Sequence, residues 1–154
     1  MNSLGLLYVN GHGVAQDYGK AREWFEKGAA KNDAISMSNL GVSYRDGQGV
    51  AQDYGKAREW FEKAAAKDNA GAMNSLGALY DHGQGVAQDY GKAREWYDKA
   101  AAKGNANAMS SLGWLYANGH GVAQDYGKAR EWYEKAAAKG NASAKKALEQ
   151  LPSR

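Results

Sequence analysis

Four copies of one twelve-residue string, Gly-Val-Ala-Gln-Asp-Tyr-Gly-Lys-Ala-Arg-Glu-Trp, begin at Gly13, Gly49, Gly85 and Gly121, unchanged and 36 residues apart. A fixed period of about 20–50 residues marks a stack of one supersecondary unit, each burying its apolar face on its neighbours. The 154 residues then read as a single solenoid domain over 1–154. Repeat 1 covers 1–33 and is shortened at its N-terminal end; repeats 2, 3 and 4 cover 34–69, 70–105 and 106–141; a capping helix covers 142–151. Repetition also weighs against catalysis, because chemistry needs a unique place and this pattern supplies four equivalent ones.

Each unit carries two helical patterns. In the third, Met73, Leu76, Leu79 and Tyr80 recur at spacings of three and four, one face of a first helix over roughly Ala70 to Asp81. Gly77 interrupts that face, as Gly5, Gly41 and Gly113 do in the other copies. A glycine inside a helix costs about 1 kcal/mol against alanine. Its return in every copy predicts another helix backbone passing too close for a side chain. Gly83 and Gly85 end the first helix. Asp89 then caps a second, as Asp17, Asp53 and Asp125 do elsewhere. Tyr90, Ala93, Trp96, Tyr97 and Ala100 form its apolar stripe, so the four tryptophans Trp24, Trp60, Trp96 and Trp132 are expected in the core. Glu95 with Lys99, and Arg94 with Asp98, are spaced for ion pairs. The expected fold class is all-α: a solenoid of antiparallel helix pairs.

The ends depart from the middle. Lys145 and Glu149 stand in slots held by Met109 and Gly113, which suits a helix with nothing stacked on it. Pro152 closes that helix. The N-terminal edge instead shows Leu4, Leu6, Leu7 and Tyr8, so the expectation is a monomer or weak end-to-end self-association through that edge.

Composition narrows the function classes. Twenty basic and seventeen acidic residues are spread through every repeat, a slight surplus rather than the basic patch that nucleic acid needs. No apolar run approaches the ~20 residues of a membrane span. The first residues lack a signal-peptide pattern, and localisation stays open. Without cysteine there is no disulfide or thiolate metal site. His12 and His120 fill the same turn slot three repeats apart and His82 stands alone, so all three read as exposed turn residues and no metal or cofactor is expected. Gly19-Lys20 lacks the Ser or Thr, and the preceding strand, of a phosphate loop.

The residues Ala72, Leu76, Gly77, Tyr80, Gly83, Gly85, Val86, Asp89, Lys92, Ala93, Trp96, Tyr97, Lys99, Ala100 and Ala101 carry a pattern that resembles the Sel1-like repeat, a relative of the tetratricopeptide repeat. The likeness covers nearly the whole chain. It implies a right-handed superhelix with the first helix of each pair lining the concave face, and an adaptor role. A cysteine-rich branch of that family has been linked to β-lactam binding; this chain departs from it in having no cysteine. Ser143-Ala-Lys-Lys146 does supply a Ser-x-x-Lys string, but the other two β-lactamase elements are absent.

Comparing the repeats with one another separates framework from free positions. Trp114 occupies a slot filled by Leu6, Val42 and Ala78 elsewhere, so packing does not dictate it. Two further slots vary near the end of the first helix: Val9, Arg45, Asp81 and Ala117, then Asn10, Asp46, His82 and Asn118. Trp114, Arg45, Asp81, His82, Asp46 and Asn118 are therefore the expected protein-binding residues of the concave face, of types that anchor or tune interfaces. No nucleophile–base pair or acid/base set stands out. The reading is a non-catalytic protein- or peptide-binding scaffold. Its alternative is a designed or consensus repeat array with no native ligand, for which twelve identical residues in four copies also argue.

Overall fold

Glycine and capping residues cut the chain into short helices, and the computed structural model describes them over residues 1–153. Among the described residues there are nine helices and no strand. Backbone contacts gather into two compact units, residues 1–72 and residues from 73 onward. The first holds α1 (Asn2–Asn10), α2 (Tyr18–Ala30), α3 (Ala34–Asp46) and α4 (Tyr54–Ala65). The second holds most of α5 (Ala70–His82), then α6 (Tyr90–Ala102), α7 (Ala106–Asn118), α8 (Tyr126–Ala138) and α9 (Ala142–Gln150). Odd-numbered helices are the first of each pair, even-numbered ones the second. This is the all-α repeat class that the period implies.

The turn inside each pair is held by the repeated string. Gly47 and Gly119 close α3 and α7 in the left-handed conformation, at φ 68 and 66. The glycine two residues later has another task. A side chain at Gly49 would meet the Tyr18 carbonyl group at 2.6 Å, so backbone passes over backbone there. Gln52 then reaches back, its Nε2 donating to the Arg45 carbonyl at 2.7 Å, and Gln16, Gln88 and Gln124 repeat the bond. Asp17, Asp53, Asp89 and Asp125 accept from the backbone N–H three residues on, the expected caps. The helices α3, α5, α7 and α9 are capped as well, by Asp33, Asn69, Asn105 and Asn141.

The interior corrects two expectations. The helix glycines do lie against something close, but it is a ring, not a helix backbone. A methyl at Gly77 would stand 2.6 Å from Tyr97, and one at Gly41 2.5 Å from Phe61. The core aromatics are accordingly Phe25, Phe61, Tyr97 and Tyr133, each seated over the glycine of its own pair. Trp24, Trp60, Trp96 and Trp132 stand one position earlier, about 100° round the helix, and are only half-buried. Each carries a lysine over its outer face, with Nζ 4.4–4.6 Å from the ring centroid. Lys99 is thereby drawn to Trp96 and not to Glu95, while Arg94 and Asp98 pair at 4.0 Å.

Met73, Leu76 and Leu79 of α5 are buried as their spacing requires, and Tyr80 is half-buried beneath Lys92. Lys145 and Glu149 are exposed on α9. Leu4, Leu6 and Leu7 are exposed on α1, whereas Tyr8 is half-buried beneath Lys20. No described helix is long and apolar enough to cross a membrane.

Candidate protein-binding surface

Trp114 projects from α7 with 39% of its surface exposed. Helical spacing explains this: Leu112 and Leu115 flank it on the buried face, and Gly113 lies under the Tyr133 ring. Its indole is not isolated. The His120 ring meets it edge-on at 4.8 Å and stacks on Tyr90 at 4.4 Å with the planes 18° apart. His120 is therefore half-buried in an aromatic cluster, not the exposed turn residue expected, while His12 and His82 are exposed. Neighbouring aromatics hold one side of Trp114 still, which lowers the entropy lost when a ligand settles on the other.

Three depressions within residues 73–153 share Trp114. The first, about 280 Å³, is lined by Asn74, Asp81, His82, Tyr97 and Ser111. The second, about 370 Å³, runs past Asn107, Ser110 and Tyr133 toward Ser143. The third, about 440 Å³, adds Asn118 and Tyr126. Of the six residues expected to bind, the structure thus gathers Trp114, Asp81 and His82 round one depression and sets Asn118 on another. Arg45 and Asp46 belong to the first unit, where they grip each other at 2.7 and 2.9 Å. The bonded Asp46 carboxylate holds the Arg45 guanidinium above its usual pKa, against the effect of partial burial.

Asp81 is the unusual member. Its residue is only 8% exposed, and its Oδ2 accepts from the Tyr97 hydroxyl at 3.0 Å. Burial first, and then the Asp81 charge, hold that hydroxyl far above the ordinary phenol range. His82 turns its Nδ1 to the Ala78 carbonyl at 2.8 Å. A carbonyl can only accept, so that nitrogen carries a proton. Tyr97 was read as core alone. The signal that could have marked it is the coincidence of two changes: the slot of Phe25 and Phe61 becomes tyrosine at Tyr97 and Tyr133, and of these two copies the first also sets an acceptor, Asp81, where the second has Ala117.

Nothing here has the arrangement of a nucleophile, base and oxyanion donor. Ser143 and Lys146 are both exposed on α9. Among the described residues no three His, Asp or Glu side chains converge as metal ligands.

The sequence pattern of the Sel1 repeat matches residues 1–33, 34–69, 70–105 and 106–141. A Sel1 repeat protein from Oxalobacter formigenes is 36% identical with a TM-score of 0.90, over 97% of this chain and 61% of its own. A protective antigen of uropathogenic Escherichia coli strains, described as displaying an SLR fold, is 40% identical with a TM-score of 0.86, over 96% of this chain and 32% of its own. The Helicobacter pylori cysteine rich protein B is 26% identical with a TM-score of 0.68, over 86% of this chain and 96% of its own. The chain thus spans about three-fifths of the first and a third of the second. No curated protein matches.

Proposed function

This chain belongs to the Sel1 repeat family, whose members are generally non-catalytic scaffolds for protein interaction, and we propose that it holds a protein or peptide on the Trp114 face of α7. The observation that carries this reading is Trp114 itself, a large exposed aromatic shared by three depressions in a slot that the framework fills elsewhere with Leu6, Val42 or Ala78. Partly exposed tryptophan beside pockets is a frequent hot-spot anchor, where truncation costs about 2 kcal/mol or more. On the even-numbered helices Glu26, Glu62 and Asp98 pair with arginines of their own helix, and Lys27, Lys63, Lys99 and Lys135 cover tryptophan, so these charges serve the framework.

The test is a random-peptide selection against the chain, followed by titration of the selected peptides with the wild type and Trp114→Ala. The expected result is a loss of affinity of about 30-fold, or 2 kcal/mol, with little change in melting. Equal affinity of the two proteins for every selected peptide would reject the surface.

A further inference from the structure

The depression shared by Asp81 and Trp114 has a one-sided chemistry. The Tyr97 hydroxyl donates to Asp81 at 3.0 Å, so its hydrogen is used within the wall. The Asp81 carboxylate remains as an acceptor with a single hydrogen-bond donor. Among the described residues no lysine, arginine or histidine forms an ion pair with Asp81; the ion pairs are Arg22–Glu26, Arg45–Asp46, Arg58–Glu62 and Arg94–Asp98. Buried charges are ordinarily paired, and one hydroxyl donor replaces little of a carboxylate's hydration.

The tryptophan points the same way. Trp24, Trp60, Trp96 and Trp132 each hold a lysine ammonium of this chain over the ring. Among the described residues Trp114 alone holds none, and it borders the depression that contains the unpaired carboxylate. A cation over an indole gains about 0.5–2 kcal/mol, more when water is excluded.

We infer that the Asp81–Trp114 depression receives a cationic side chain, arginine or lysine, from an extended segment of a partner polypeptide. The cation pairs with Asp81 and lays its charge or its guanidinium plane against the indole. Anionic groups are turned away by the same carboxylate. This inference rests on the scaffold reading above and names what its first depression selects.

The probes are blocked pentapeptides, acetyl-Gly-Ser-X-Ser-Gly-amide, with X as arginine, lysine, citrulline or glutamate. The readout is the Trp114 indole N–H resonance, assigned by its loss in Trp114→Ala. The arginine or lysine peptide is expected to shift that resonance saturably. Citrulline, which keeps the shape of arginine without its charge, should bind about tenfold more weakly or worse, and glutamate should not bind. Asp81→Asn should weaken the cationic peptides by about tenfold or more, while Glu95→Gln, which removes an exposed charge of α6, should leave them unchanged. Val9 and Ala117 fill the Asp81 slot elsewhere, so the fold tolerates its loss; citrulline makes the same comparison with no mutation at all. Equal binding of citrulline and arginine, no shift with either cationic peptide, or indifference to Asp81→Asn in a folded protein would overturn the inference. If the selected peptides depend on Trp114 but carry no basic residue, this inference falls and the scaffold reading stands. If none depends on Trp114, the scaffold reading has failed first.

Discussion

Trp96 and Tyr97 are adjacent in sequence, yet one helical step of about 100° gives them different work. Tyr97 fills the space over Gly77 and is buried; Trp96 covers the flank and is half-open beneath Lys99. Truncating the first leaves a cavity, truncating the second mostly enlarges an exposed edge. Tyr97→Ala should therefore destabilise by about 3–5 kcal/mol and Trp96→Ala by about 1–2 kcal/mol in urea melts. The reverse order would restore the tryptophan to the core. Tyr97 also carries a signature in pH. Its folded-state pKa is raised above the ordinary ~10, so its share of stability is complete below pH ~10 and is lost as the pH climbs above that. Tyr97→Phe removes the group. It should cost about 1–3 kcal/mol at pH 7, because Asp81 loses the hydroxyl donor, and it should soften the alkaline fall in stability. Melts at pH 7, 10 and 11 read both effects. An unchanged alkaline slope would show that Tyr97 does not carry it.

At the scale of the helix, close contact and backbone conformation replace side-chain chemistry as the controlling terms. A methyl at Gly113 would lie 2.7 Å from the buried Tyr133 ring. Gly113→Ala gains about 1 kcal/mol of helix propensity, but overpacking costs about 1–3 kcal/mol, so the net change should be destabilising. A stabilised Gly113→Ala would mean that the ring has room to move. The end of α2 offers the opposite case. Asn32 sits at φ 67 where Gly104 and Gly140 hold the same turn in the later copies. Asn32→Gly should raise stability by about 0.5–1 kcal/mol in a thermal melt, since glycine adopts that conformation without strain. Helix positions were legible because each turn inside a pair is marked by a glycine in the left-handed region and an aspartate cap, both local signals. The centre of the second helix's stripe was not legible: Tyr90, Ala93, Trp96, Tyr97 and Ala100 share one face, and only the depth of the Gly77 gap decides which ring enters it. The site was legible in part for a similar reason. Repeat comparison exposes Trp114, Asp81 and His82 as free slots, but a sidelong pair such as Arg45–Asp46, or a hydroxyl bond such as Tyr97–Asp81, depends on rotamers that spacing does not set.

For the molecule as a whole, the 36-residue register makes stability divisible. In a linear array it is approximately a sum of unit terms and nearest-neighbour interface terms, and no distant contact is required to close the fold. Within residues 1–72 and within those from 73 onward, helices touch the ones adjacent in the chain, as that account needs. We expect the same to hold for the chain as one solenoid domain, and deletion of Gly49 to Gln84 tests it. That cut removes one period and joins Gln48 to Gly85, so the turn string resumes in register, while Asn74, Asp81 and His82 leave the depression beside Trp114. The shortened chain should remain helical by far-ultraviolet circular dichroism and unfold at a lower urea midpoint. Its m-value should fall by about a quarter, the share of the 154 residues removed, because m follows the surface exposed on unfolding. Complete loss of helix on this deletion would mean that distant contacts hold the fold together. An unchanged m-value would mean that the removed unit does not unfold with the rest.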